Sequence, residues 1–85
     1  MTPCFAIIDA NNLSCLSLRN ILYDMFSQVE VHTYNNIDSY IRDSNRHFVH
    51  FFVGSVMIFA HSDEFETLKN MITVLSTGQN SNISG

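Results

Sequence analysis

Three short stretches carry the residue types that could do chemistry together: Asp9-Ala10-Asn11, Val53-Gly54-Ser55 and Ser76-Thr77-Gly78. Each follows an apolar run that reads as a strand. In an open parallel sheet, function gathers beyond the carboxyl ends of the strands, where the strand order changes direction. The Asp9 carboxylate can take part in cation binding or accept a backbone N–H in a turn. The hydroxyls of Ser76 and Thr77 can donate to an anion or simply shape a turn. Neither Val53 nor Gly54 offers a reactive group. No nucleophile stands beside a base, so no hydrolytic site and no enzymatic activity are expected.

The histidines and cysteines do not form a recognisable set. His32, His47, His50 and His61 are scattered. His47 and His50 lie across the start of a strand, where an odd separation sends side chains to opposite faces, so they are not expected to share an ion. Cys4 and Cys15 have no metal-ligand or redox spacing and read as reduced structural thiols. Asp9 is the one weak metal candidate, and no cofactor is expected.

These residues need a frame to hold them. Cys4 to Ile8 is a continuous apolar run, as in a central strand covered on both faces. Asn12 is a suitable cap for a following helix. In that helix Leu18, Ile21, Leu22, Met25 and Phe26 recur at helical spacing, opposite Arg19, Asn20 and Asp24. Val29, Val31 and Thr33 alternate with Glu30, His32 and Tyr34, the period-two pattern of a strand nearer the sheet edge. Asn35-Asn36 repeats the turn-and-cap chemistry before a short helix with Ile37, Tyr40 and Ile41 on one face. Phe48 to Val53 reads as a buried third strand ending at Gly54. Residues 55–60 are compatible with strand or helix, and helix is preferred. Asp63 and Glu66 have capping-box spacing for a helix ending near Asn70, followed by a fourth strand over 71–75. The expected class is α/β, a three-layer parallel sheet with helices on both faces.

Composition excludes several functions. The 85 residues hold one domain, 46% hydrophobic and 14% charged, with a net charge of −4. Only Arg19, Arg42, Arg46 and Lys69 are basic, too few and too dispersed to displace counterions from nucleic acid. DNA contact would need a segment not present in this chain. Asp9-Ala10-Asn11-Asn12 has no glycine for a phosphate-binding loop. No apolar run approaches a membrane span and no secretory leader pattern opens the chain, so a cytoplasmic location and no membrane contact are expected.

The layout resembles a response-regulator receiver domain, of flavodoxin-like topology. More narrowly, it is similar to the atypical receivers at the front of LuxR-type transcriptional regulators from Bacteroides-like bacteria. The resemblance spans residues 4 to about 78 and rests on Phe5-Ala6-Ile7-Ile8-Asp9, the length of the first helix, and Val74-Leu75-Ser76-Thr77-Gly78. In that family an acidic pair after strand one holds Mg²⁺, an aspartate ending strand three takes the phosphoryl group, and a hydroxyl ending strand four senses it. Asp9 matches one acidic position, but its neighbour is Ala10. The acceptor position falls at Val53 or Gly54, neither of which forms an acyl phosphate. Ser76 or Thr77 matches the switch hydroxyl.

The resemblance implies a receiver-like domain over 1–78, incomplete after strand four, with a polar tail over 79–85. Its expected function is regulatory: two-component signalling without phosphorylation and without bound Mg²⁺, acting through protein partners. The exposed edge at strand four implies a homodimer. The alternatives are an interaction or adaptor domain unrelated to transcription, and a domain binding a small ligand or nucleotide.

Overall fold

The structure is a computed structural model and describes residues 2–76. Thr77 and the expected polar tail lie outside them. Four parallel strands, β1 (Cys4–Ile8), β2 (Glu30–Tyr34), β3 (His50–Gly54) and β4 (Ile72–Leu75), form one sheet in the order β2-β1-β3-β4. This α/β arrangement follows the flavodoxin-like order over its first four strands. The apolar run at β1 makes it a central strand: Ala6, Ile7 and Ile8 are fully buried. Each large apolar side chain buried there contributes about 1.5–3 kcal/mol. β2 takes one edge, as its alternation implies, with Glu30 exposed and Val31 and Tyr34 buried on opposite faces.

Helix α1 (Asn12–Met25) covers one face, packing Cys15 and Leu22 against Ile7 and Val31. The other face is covered by α2 (Ile37–Arg42), α3 (Ser55–Ala60) and the single turn α4 (Ser62–Phe65). These close an aromatic core in which Tyr40 stacks on Phe65, while Phe48 meets Tyr34 and Phe51 edge-on. Helices on both faces give the expected three layers.

Several local expectations shift. Asn11, not Asn12, caps α1, its side chain accepting the Ser14 N–H at 3.1 Å. The buried stripe of α1 runs through Cys15, Leu18 and Leu22, spaced three and four residues apart on one face, and leaves Ile21 and Met25 largely exposed beside it. β3 starts at His50 rather than Phe48. The backbone pairing with β1 opens with the Val49 N–H donating to the Cys4 carbonyl at 2.8 Å, and Phe48, ahead of it, buries its ring in the aromatic core. The Asp63–Glu66 capping box does not form. The chain turns at His61, Asp63 falls inside the first turn of α4, and no side chain caps it. Burial of Phe65 then redirects the chain into a 3₁₀ segment over Glu66–Met71 that delivers Ile72 beside Phe51.

No helix among the described residues is long and apolar enough to cross a membrane.

Candidate functional site

The order β2-β1-β3-β4 reverses direction between β1 and β3, so the crevice opens beyond Ile8 and Gly54. Asp9 stands at its centre. Its backbone N–H donates to the Tyr34 carbonyl at 3.0 Å, and its own carbonyl accepts from the Asn35 amide at 3.0 Å and the Cys15 thiol at 3.4 Å. One carboxylate oxygen, Oδ1, accepts the Asn11 N–H at 2.9 Å. Asp9 is thus locked as the acid of a short Asx turn, the ordinary role for such a residue.

Of the two candidate acceptor positions, only one faces this acid. Val53 is fully buried in the aromatic core, whereas Gly54 lies directly against the Asp9 side chain. A β-carbon at position 54 would stand 3.0 Å from Asp9 Cγ and Oδ2, so glycine is what allows the two strand ends to close together.

Asp9 divides the crevice. On the α1 side a groove of about 440 Å³ runs past Asn11, Ser14, Ser17 and Leu18 to Leu75 and Ser76. On the α3 side a smaller one of about 210 Å³ is lined by Ala10, Gly54, Ser55, Val56 and Met57. Ser76 and Asp9 therefore share one groove, as their strand-end positions require. Asn11 already satisfies the Ser14 N–H, so the amino end of α1 is capped by its own chain.

The electrostatics of this crevice are plain. Among the described residues, Asp9 is the one acidic residue lining either groove, and no basic residue lines them. The Cys15 thiol beneath it is pushed up by burial and then by the Asp9 charge, which keeps it protonated.

The chain matches no protein-family model, no curated protein and no solved structure. The site must be read from its own atoms.

A second group of polar side chains gathers at the opposite, amino-terminal end of the sheet. Glu30 Oε2 lies 2.5 Å from His32 Nε2 and 3.6 Å from an Arg46 guanidinium nitrogen. Arg46 Nε donates to Asp43 Oδ2 at 2.9 Å, which also accepts the Tyr34 hydroxyl at 2.7 Å. The hydrogen bond from His32 holds the Glu30 carboxyl below its usual range, and the Tyr34 and Arg46 donors do the same for Asp43. Burial, followed by the Asp43 bond, raises the Tyr34 phenol. Cys4 lies on β1 directly opposite Glu30. Linear spacing missed this group because its members are distant in the chain. The signal that was available is Glu30-Val31-His32, an i, i+2 pair that a strand sets on one face.

Proposed function

We propose that this chain is a receiver-like regulatory domain of a LuxR-type transcriptional regulator, cytoplasmic, working through protein contacts with no phosphoryl transfer and no bound Mg²⁺. The observation that carries the reading is the apposition of Gly54 and Asp9 within a flavodoxin-like strand order. The framework that presents an acidic crevice is present. The crevice itself holds one carboxylate, already engaged in a turn, and a glycine where an acceptor would stand.

Asp9 is a poor Mg²⁺ site by itself, because one of its carboxylate oxygens is already bonded to the Asn11 N–H and the ion demands near-octahedral oxygen ligands that the crevice would have to draw from elsewhere. Self-capping of α1 by Asn11 weighs against a nucleotide phosphate at that helix end. What is left for communication is surface. Leu13, Ile21 and Met25 are exposed along α1, and the edge strand β4 exposes Val74. Pairing of β4 with a second copy accounts for the homodimer in this reading. DNA binding, in this reading, belongs to a segment outside these 85 residues.

Incubation with Mg²⁺ and a small acyl-phosphate donor, followed by intact-mass measurement, is expected to leave the mass unchanged. A stoichiometric phosphate adduct refutes the proposal. Sedimentation of the same sample is expected to show a concentration-dependent dimer that Val74→Lys dissociates; a monomer throughout removes β4 as the contact surface.

A further inference from the structure

The crevice occupies the carboxyl ends of the strands, but the cluster best suited to a ligand lies at the other end. Cys4, Glu30 and His32 each bring one donor atom together: the Cys4 sulfur, a Glu30 carboxylate oxygen and a His32 ring nitrogen, all within 4.8 Å of one another. It is the one such group among the described residues.

The geometry follows from the sheet. Cys4 and Glu30 are register partners on neighbouring parallel strands, and His32 is the partner of Ala6, two residues along. Strands about 4.8 Å apart set partnered side chains on one face side by side, and a two-residue step keeps His32 on the face of Glu30. Cys4 packs against the aromatic core of that same face, and the Phe48 ring meets the His32 ring edge-on at 6.0 Å. Two of the three ligands are therefore backed by packed side chains. Glu30 is the exposed member and can adjust.

We propose that Cys4, Glu30 and His32 form a divalent transition-metal site of the Zn²⁺ class, with three protein ligands and a fourth position open to water or a partner. The donor set decides the class. Thiolate with imidazole selects Zn²⁺ and its neighbours over Mg²⁺ and Ca²⁺, which prefer all-oxygen sites. Tetrahedral bonds of about 2.0–2.3 Å set ligand atoms roughly 3.3–3.7 Å apart, so Glu30 Oε2 and His32 Nε2, now 2.5 Å apart, must separate by about an ångström on loading. Rotation of the exposed Glu30 side chain can supply that movement.

Cys4 gives up its thiol proton to solvent, and the Nε2 proton that His32 shares with Glu30 leaves to solvent or moves to Nδ1, so that the sulfur and Nε2 each donate a lone pair and Glu30 adds its carboxylate. In the ion-free state Glu30 is held by His32 and Arg46 instead. When the ion takes Glu30, Arg46 keeps its bond to Asp43, so no charge is stranded. The ion then ties β1 to the edge strand β2. This site is independent of the regulatory reading above, since it shares no residue with the Asp9 crevice.

The test uses the full chain with reduced thiols, titrated with Co²⁺ and with Zn²⁺. Co²⁺ is expected to give a sulfur-to-metal charge-transfer band in the near ultraviolet at one equivalent. Zn²⁺ at a hundredfold excess over its dissociation constant is expected to raise the melting temperature by on the order of 10 °C, with Mg²⁺ inert. Cys4→Ser is expected to abolish the band, and His32→Gln to weaken binding at least about tenfold. His47, His50 and His61 stay in place in every variant. Binding that survives undiminished in the Cys4→Ser/His32→Gln double variant overturns the assignment, as does the absence of both band and thermal shift in the wild type. Should the variants not fold, X-ray absorption on the Zn²⁺-loaded wild type decides alone: one sulfur in the first coordination sphere supports the site, and none overturns it.

Discussion

Replacing Gly54 by alanine introduces a methyl group 3.0 Å from both Cγ and Oδ2 of Asp9 and 3.2 Å from Oδ1, where ordinary contact begins at 3.4 Å. The backbone does not object, since Gly54 sits at φ −61° and ψ 141°, an extended conformation open to any residue. The whole cost therefore lies with Asp9. Its carboxylate must shift by about 0.4 Å, which disturbs the Asn11 N–H bond it holds at 2.9 Å. Weakening that bond costs about 0.5–1.5 kcal/mol, and crowding a closed strand end adds about 1 kcal/mol. Against this, alanine lowers the entropy of the unfolded chain, worth about 0.4–1 kcal/mol. The net expectation is a loss of roughly 0.5–2 kcal/mol. In an Asp9→Ala background the obstruction is gone, and the same Gly54→Ala change is expected to stabilise by about 0.4–1 kcal/mol. The sign reverses, giving a coupling of roughly 1–3 kcal/mol between positions 9 and 54. Urea unfolding followed by far-ultraviolet circular dichroism on the four proteins measures it. Equal effects of Gly54→Ala in both backgrounds would refute the close approach on which the site description rests.

Other consequences are checked in the same way. Asn36→Ala removes the acceptor of the Ser39 N–H at 2.8 Å and is expected to cost about 0.5–2 kcal/mol, whereas Asp63→Ala, which caps nothing, is expected to stay within about 0.5 kcal/mol of wild type. Asp43 is held below its ordinary value of 3.8 by Tyr34 and then Arg46, so it contributes stability that is present above that value and is lost as pH falls through and below it. Thermal melts of Asp43→Asn are expected to show a shallower decline than wild type across that acid range; parallel curves would remove Asp43 from the acid response.

How far the chain could be read in advance depended on whether a feature is local. The β1 run, the amphipathic α1 and the Asn36 cap were legible because periodicity and capping act within a few residues. So was the preference for helix over 55–60, where α3 forms. The edge position of β2 was legible from its alternation against the continuous apolar run of β1. Where tertiary packing competes, local signals misled. Asp63 and Glu66 have capping spacing, yet the burial of Phe65 sets where the chain turns. The aromatic run from Phe48 promised a longer strand, yet Phe48 lies ahead of the pairing with β1 and packs its ring into the aromatic core.

The candidate site divides along the same line. The amino-acid sequence alone determined which carboxylate and hydroxyls could meet at the strand ends, and that positions 10, 53 and 54 carry no acid, because residue type and order suffice for that. Only the folded chain decided that Gly54, rather than Val53, faces Asp9, because a step of one residue along a strand exchanges the two faces of the sheet. Only the fold joined Cys4 to Glu30 and His32, since parallel register brings together residues that no spacing rule links.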